Sequence, residues 1–237
     1  MKTESDKQDQ RSLYREAFFK ERRYTDDSIG KYVLKDRRFN LEWAGAWSGR
    51  NLFAGHGKTA LDAGCAVGWA SFFLRDLGYR TTALDFSDYA LEMARAAAQS
   101  KAITDISWMV ASLDTDPIPG CYDLIICWDV IEHVQNPQAV LDKLYHALRP
   151  EGLMILTTPN RLGLPHLLLD RDPTHIHVHS PFYWTKRLRR LPSAKWICRS
   201  MMFWDHVIPW LRGSKRVIVH WLPVFGFRIR MAVLKTS

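Results

Sequence analysis

A glycine-containing turn and the acidic residue that follows it are the first features of this sequence with recognisable chemistry. The turn is the stretch DAGCAVG at residues 62–68, and Asp85 lies 21 residues beyond Gly64. Glycine lets a backbone turn tightly and approach a ligand, and a carboxylate at the end of the next strand can accept hydrogen bonds from both hydroxyls of a ribose. An ordinary strand–helix turn would also use glycines, but the acidic residue at this distance favours a nucleoside cofactor.

The same turn departs from the dinucleotide-binding motif. Ala66 separates Gly64 from Gly68, and Ser71 stands where that motif has its third glycine. A pyrophosphate would require more free backbone N–H groups than this loop offers. A cofactor without phosphate that carries an amino-acid tail is less demanding, and the turn favours it.

Two further segments carry acidic and histidine side chains. Asp129, Glu132 and His133 follow one apolar run, and histidines stand at residues 175, 177 and 179 after another. In an extended segment a period of two places three imidazoles on one face. Because an unperturbed imidazole titrates close to neutral pH, His175 and His133 are the candidate general bases. For both, hydrogen bonding that orients the loops is the structural alternative.

Apolar runs alternate with helical patterns between residues 58 and 160. The runs predict strands at 59–62, 80–85, 106–110, 122–128 and 153–158. The segments between them predict helices at 69–77, 88–99 and 137–149, with Ser87 and Asn136 as the caps of the last two. Strands joined by helices predict right-handed βαβ units, so the fold class is α/β with a parallel, doubly wound sheet. Ligands of such sheets bind outside the carboxyl ends of the strands, which is where these candidate residues lie.

The flanking regions predict further elements of the same domain. Amphipathic helices are expected at 12–23 and 29–40, and a short basic helix from 181 to about 191. Strands are expected at 195–203 and 227–234, and the residues between these two strands are ambiguous.

Charge is unevenly distributed along the chain. Residues 59–170 carry 7 basic and 14 acidic side chains, whereas residues 171–237 carry 13 basic and 2 acidic ones and five of the ten tryptophans. A basic, tryptophan-rich region favours anionic partners such as phosphorylated substrates, nucleic acid or lipid headgroups. The alternative is that these basic groups only solvate a peripheral layer.

Composition limits the class of protein. With 237 residues, 47% of them hydrophobic, the chain is long enough for one well-buried domain. Residues 1–12 are polar, and the longest apolar stretch, 217–227, is shorter than a membrane span, so we expect a cytoplasmic protein. No CxxC spacing occurs, and we expect reduced, packed thiols rather than a zinc site or disulfides. The four cysteines are Cys65, Cys121, Cys127 and Cys198.

Four segments, in their order and spacing, resemble the class I S-adenosylmethionine-dependent methyltransferases. They are LDAGCAVG, LDFS, PIPGCYDLIICWDVIEHV and LRPEGLMILTTPN, and the resemblance covers roughly residues 59–160. It implies a Rossmann-like, seven-stranded sheet of order 3-2-1-4-5-7-6 whose last strand is antiparallel. It also divides the chain into an N-terminal helical lid (1–58), a core that binds S-adenosylmethionine (59–160), and a C-terminal part of the same domain (161–237).

The resemblance assigns the cofactor S-adenosylmethionine to residues at the ends of the first four strands. The turn after the first strand lines the methionine and ribose, the second strand end holds the ribose hydroxyls and adenine, the third meets the adenine, and the fourth closes the pocket near the sulfonium. In order, these residues are Asp62, Gly64, Cys65, Ala66, Gly68, Asp85, Phe86, Ser112, Leu113, Trp128 and Asp129. Ala66 departs from the family, which usually has glycine there, and its methyl group crowds the loop.

These residues predict methyl transfer by in-line displacement to a small-molecule, sugar or lipid-linked acceptor, at oxygen rather than nitrogen. The sequence DPTH at 172–175 resembles bacterial methyltransferases that act on sugars, lipids and secondary metabolites. His175 and His133 are the candidate bases, and the lid and the histidine segment supply the candidate acceptor contacts. Those contacts are Tyr14, Phe18, Tyr24 and His177.

Two other interpretations remain open. Asp129, Glu132, His133 and His175 together resemble the metal site of 2′-O-methyltransferases that modify small RNAs, although no RNA-binding module accompanies them and nucleic acid is not the expected partner. The chain could also be a non-catalytic binding or scaffold protein. Whether the chain is a scaffold protein or an enzyme close to a membrane, its C-terminal aromatic residues are candidates for peripheral membrane contact. They are Trp204, Trp210, Trp221 and Phe225.

Overall fold

The structure is a computed structural model that describes residues 27–163, 172, 174–201, 226 and 228–236. The helices are α1 (Asp27–Ser48), α2 (Trp69–Asp76), α3 (Asp88–Ser100), α4 (Pro137–His146) and α5 (Pro181–Leu188). The strands are β1 (Thr59–Ala63), β2 (Arg80–Asp85), β3 (Ile106–Val110), β4 (Tyr122–Trp128), β5 (Leu148–Pro159), β6 (Ala194–Met201) and β7 (Arg228–Lys235).

The seven strands form one sheet of order β3-β2-β1-β4-β5-β7-β6, which confirms the predicted fold class and topology. β1 to β5 pair in parallel, whereas β7 lies between β5 and β6 and is antiparallel to both. The strand order reverses between β1 and β4, which opens a crevice at their carboxyl ends.

Local sequence explains most element boundaries. Gly78 has a φ of +85° after α2, a left-handed conformation that costs glycine little. Ser87 accepts a hydrogen bond from the N–H of Ala90 and caps α3, and Asn136 caps α4 in the same way.

The predicted end of α4 is wrong. The helix expected to continue to Arg149 ends at His146, and Leu148 already pairs with Tyr122 of β4. The pairing with β4 therefore outweighs the helical pattern of the last residues. The strand expected at 153–158 accordingly begins five residues earlier, at Leu148.

Helices cover both faces of the sheet. On one face Leu41 and Ala44 of α1 pack with Leu74 of α2, and all three are fully or almost fully buried. On the other face α4 and α5 pack against the sheet, where Trp184 is fully buried. α1 is longer than predicted and contributes to the core through its C-terminal half.

Some expectations concern residues outside those described. The first lid helix, predicted at 12–23, is among them, so the lid stays a prediction. Three cysteines are buried thiols as expected, but Cys121 is exposed, because it lies in the turn just before β4. Among the described helices none is long and apolar enough to cross a membrane.

Candidate functional site

The β1–α2 turn adopts left-handed backbone conformations at three positions. The φ angles are +82° at Gly64, +47° at Ala66 and +85° at Gly68. A side chain at Gly64 would overlap the methyl groups of Val130, which follows β4. The turn therefore needs glycine at 64 both for its conformation and for its close approach to the turn after β4.

The structure brings Asp85 and this turn together. The two carboxylate oxygens of Asp85 accept hydrogen bonds from the backbone N–H groups of Ala66 (2.8 Å) and Ser87 (2.9 Å). Burial raises the pKa of Asp85, and the N–H groups of Ser87, Ala66 and Phe86 oppose that rise. A carboxylate offers about four acceptor positions, so these three donors leave room for a hydroxyl.

Asp62 has a different environment from the one that the resemblance implies. Its carboxylate is buried and accepts a hydrogen bond of 2.6 Å from Ser71 Oγ in the first turn of α2. Burial raises the pKa of Asp62 to about 6. Asp62 thus ties the end of β1 to the start of α2. Cys65 beside it is buried, and burial raises the pKa of its thiol.

The turn after β3 is held by one of its own carboxylates and by a lysine of α4. The N–H of Ser112 donates to Asp116 Oδ2 at 2.9 Å, and the carbonyl of Leu113 accepts a hydrogen bond of 2.7 Å from Lys143 Nζ. Leu113 is buried, and Phe86, after the neighbouring strand β2, is half-buried. Both positions lie at the edge of the sheet where the adenine is expected.

The turn after β4 is held in an unusual conformation. Asp129 has a φ of +59°, and its Oδ1 accepts a hydrogen bond of 3.0 Å from Thr157 Oγ1. Its Oδ2 lies 3.2 Å from Arg228 and 3.7 Å from Arg37. Trp128, just before it, is buried, and its Nε1 has no hydrogen-bond partner among the residues that the structure describes.

Arg37 of α1 is a site residue that sequence analysis missed. Its guanidinium lies 4.8 Å from the centroid of the Trp128 ring. Its Nε and Nη1 atoms are buried, and neither has a hydrogen-bond partner within the described part of the chain. No motif marks this arginine in the sequence, because its position depends on how α1 packs across the sheet.

Glu132, His133 and His175 converge beside the same turn. His133 Nδ1 lies 3.0 Å from the carbonyl oxygen of Thr174, and the rings of His133 and His175 are 4.9 Å apart. Each of the three acid or imidazole side chains offers one possible ligand atom, and these atoms lie within 4.8 Å of one another. Asp129, the fourth residue of the metal-site interpretation, is not part of this cluster.

The protonation states of this cluster follow from burial. Burial and the neighbouring His175 lower the pKa of His133 to about 4, so its imidazole is neutral at pH 7. A neutral imidazole that faces a carbonyl through Nδ1 donates from that nitrogen and keeps its lone pair on Nε2. Burial and the charge of Asp129 raise the pKa of Glu132 well above its usual value.

His177 and His179 lie against each other rather than against His175. His177 Nδ1 is 3.3 Å from His179 Nε2, and the His179 ring stacks on Tyr183 at a centroid distance of 3.5 Å. The alternating pattern therefore places these two imidazoles together, while His175 joins His133. The predicted acceptor contacts Tyr14, Phe18 and Tyr24 and the predicted membrane contacts lie outside the described residues.

The fold and the crevice at β1 and β4 define the architecture of class I S-adenosylmethionine-dependent methyltransferases. Residues 38–191 match the family described as "Methyltransferase domain", and the chain belongs to that family. The predicted superfamily is thereby confirmed, and the cofactor of this family is S-adenosylmethionine.

Curated relatives are ubiquinone biosynthesis O-methyltransferases. The mitochondrial protein of Schizosaccharomyces pombe is 33% identical over 129 residues, which are 54% of this chain and 46% of that protein. The protein of Idiomarina loihiensis is 29% identical over 148 residues, which are 58% of this chain and 60% of that protein. This chain spans about half the length of the curated relatives it matches.

Solved structures share the fold at low sequence identity. Magnesium protoporphyrin IX methyltransferase from Synechocystis PCC 6803, with bound SAH, superposes with a TM-score of 0.68 at 19% identity, over 97% of this chain and 100% of that one. A putative methyltransferase from Bacillus halodurans C-125 gives a TM-score of 0.61 at 14% identity, over 86% of this chain and 100% of that one. At these identities the likeness concerns the fold alone.

Proposed function

We propose that this protein transfers the methyl group of S-adenosylmethionine to a hydroxyl oxygen of a small organic acceptor. The single observation that carries the proposal is the contact between Asp85 and the turn at Ala66, since it joins the acidic residue and the glycine turn at one edge of the sheet. The O-methyltransferases among the curated relatives support oxygen as the methylated atom.

The residues at this edge match the chemical groups of the donor. In this proposal Asp85 binds the ribose, and Phe86 and Leu113 contact the adenine. The buried N–H groups of Arg37 and Trp128, which make no hydrogen bond to the residues that the structure describes, are suited to the carboxylate of the methionine tail, because a buried donor without a hydrogen bond is costly unless a ligand satisfies it. When bound, the donor supplies a methyl group activated by its positive sulfur.

Methyl transfer to a hydroxyl needs a group that takes up the hydroxyl proton. His133 has a neutral imidazole, and its Nε2 keeps the lone pair because Nδ1 faces the carbonyl of Thr174. His175 lies beside it, with Nε2 at 3.5 Å from Asp172 Oδ2. We assign His133 the role of the base that takes the proton of the acceptor hydroxyl. His175 would orient that hydroxyl. The proposal includes hydroxyl groups of sugars and of lipid-linked molecules as acceptors.

Calorimetric titration with S-adenosylhomocysteine tests the proposal. Asp85→Ala should weaken binding at least tenfold, since it removes the carboxylate that would accept a hydrogen bond from a ribose hydroxyl. Asp123→Ala is the matched control. Like Asp85, Asp123 accepts a hydrogen bond from a backbone N–H, that of Thr59, and it also accepts one from Arg149. It lies at the opposite ends of the strands, away from the proposed site. This control should lose stability and keep its affinity. Equal affinity of wild type and Asp85→Ala would refute the donor site.

A second candidate function is metal-dependent methyl transfer, including transfer to an RNA 2′-hydroxyl. The observation that favours it is the cluster of Glu132, His133 and His175, whose nitrogen and oxygen ligand atoms suit Zn²⁺. Burial opposes ionisation of Glu132, so a bound cation would have to stabilise its carboxylate.

Metal analysis separates the two functions. If the second is right, purified protein contains about one equivalent of metal, a chelator removes both metal and activity, and Glu132→Gln no longer retains metal. Methyl transfer that survives chelation supports the first function. Both functions require binding of S-adenosylhomocysteine, so this binding does not discriminate between them.

A further inference from the structure

Arg228, the first residue of β7, connects two carboxylates from different parts of the chain. Its Nη1 lies 3.1 Å from Asp36 Oδ2 of α1, and its Nη2 lies 3.2 Å from Asp129 Oδ2 after β4. One guanidinium therefore links the last strand, the N-terminal helix and the turn beside the donor site. The antiparallel insertion of β7 next to β5 brings it there, opposite Pro159.

Asp129 needs several contacts to keep its conformation. A left-handed φ is strained in a residue other than glycine, and such a residue persists only where its surroundings hold it. Its N–H donates to the carbonyl of Thr157 at 2.9 Å, its Oδ1 accepts from Thr157 Oγ1, and its Oδ2 faces Arg228. Two of these contacts come from β5, and the third comes from β7.

The residues that follow Asp129 belong to both sides of the proposed reaction. Val130 packs against Gly64 in the β1–α2 turn, which we call the donor turn because it faces the proposed site for the methyl donor. His133 donates its N–H to the carbonyl of Val130 at 2.9 Å. A displacement of Asp129 would therefore move the side chain that fills the space at Gly64 and the backbone that carries the proposed base.

We propose that Arg228 is a positioning residue, which acts through Asp129 to hold the turn after β4 against the donor turn. This inference rests on the proposed function. A purely stabilising role fits Arg228 less well, since its side chain is 32% exposed and exposed ion pairs add little stability. The neighbouring Arg230 is fully buried and pairs with Asp36 at 2.9 Å, so it anchors α1 more strongly.

Three variants test the role of Arg228. Arg228→Gln should weaken S-adenosylhomocysteine binding about tenfold, as expected for loss of a charge-assisted hydrogen bond that positions the turn. Arg228→Lys should recover part of the affinity, because it restores the charge. Arg199→Gln is the matched control, because Arg199 is an exposed arginine on β6 that donates a hydrogen bond to the carbonyl of its neighbour Cys198. All variants are compared at a temperature well below their Tm.

Hydrogen exchange supplies a readout that does not depend on the donor. In Arg228→Gln the amides of Asp129 and His133 should exchange about tenfold faster, while those of β1 and β4 are unchanged. If wild type fails to bind S-adenosylhomocysteine, the proposed function falls and the exchange rates alone decide whether Arg228 holds the turn. Unchanged exchange at Asp129 overturns the inference, and so does wild-type affinity in Arg228→Gln.

Discussion

Ala66 carries a conformational cost that its neighbours in the donor turn avoid. Its φ of +47° is left-handed, where the family usually has glycine and where alanine is strained by about 1–2 kcal/mol. Replacement by glycine removes this strain but adds about 0.5–1 kcal/mol of entropy to the unfolded chain. We expect Ala66→Gly to raise the free energy of unfolding by about 0.5–1 kcal/mol, measured by urea denaturation.

Ala102 provides the control for this prediction. It has a φ of +53° just after α3, and it is exposed and remote from the donor turn. Ala102→Gly should give a similar gain, while any change in affinity for S-adenosylhomocysteine should be confined to Ala66→Gly. A loss of stability in both variants would show that neither alanine is strained.

Asp62 makes the stability of the fold depend on pH. Burial raises its pKa from 3.8 to about 6, so the folded state disfavours the carboxylate. Well below pH 4 the group is protonated in both states. As the pH rises towards 6 the unfolded chain ionises first, and the fold loses up to ~3 kcal/mol at 1.36 kcal/mol per pKa unit. That loss is complete above the folded pKa.

Asp62→Asn should remove this dependence. An amide cannot ionise, and its oxygen still accepts the hydrogen bond from Ser71. The difference in unfolding free energy between variant and wild type should therefore grow in favour of the variant from pH 4 to pH 7.5, as measured by denaturant unfolding at several pH values. A difference that stays constant over this range would contradict the assigned pKa.

At the scale of elements, α1 is fixed to the sheet by a buried polar cluster. Arg230 of β7 is fully buried, pairs with Asp36 and donates to Asn40. Burial lowers the pKa of Arg230 to about 10, which leaves it charged at neutral pH. Breaking a buried pair on one side costs about 3–5 kcal/mol where the other charge stays uncompensated, and because Asp36 keeps Arg228 as a partner the cost here should lie at the lower end of this range. We expect Arg230→Met to lose about this much, measured by urea denaturation.

Arg228→Gln is the control for the loss of unfolding free energy expected in Arg230→Met. It removes a neighbouring arginine that also pairs with Asp36, but one that is partly exposed, so its loss should stay below about 1 kcal/mol. The exchange protection of α1 near Leu41 should fall in Arg230→Met and persist in Arg228→Gln. Equal losses in both variants would mean that burial does not distinguish the two arginines.

The elements also show what the sequence could and could not predict. Gly64 and Asp85 could be paired from spacing alone, since parallel strands present their carboxyl ends at one edge. The sheet order followed from the resemblance. Arg37 and Arg228 could not be found in this way, because no local pattern records contacts between α1, β4 and β7. The end of α4 was misplaced because the pairing of Leu148 with Tyr122 is a tertiary contact.

At the scale of the whole molecule, the proposed site for S-adenosylmethionine draws on distant parts of one sheet. The turns after β1, β2 and β4 meet there, α1 contributes Arg37, and β7 holds the turn after β4 through Arg228. A ligand that contacts these elements binds the folded state and not the unfolded chain. It should therefore stabilise the domain as one cooperative unit.

Thermal unfolding with S-adenosylhomocysteine tests this expectation. At a ligand concentration 100 times the Kd, binding to the folded state adds about 2.7 kcal/mol. For a domain of this size each kcal/mol raises Tm by about 2–4 °C, so a single transition should move upward by about 5–10 °C. Asp85→Ala, which binds at least tenfold more weakly, should show at most about half of that shift at the same concentration, and Asp123→Ala should start from a lower Tm and shift as wild type does. A ligand-induced rise confined to one of two separate transitions would show instead that α1 and β7 are not coupled to the donor site.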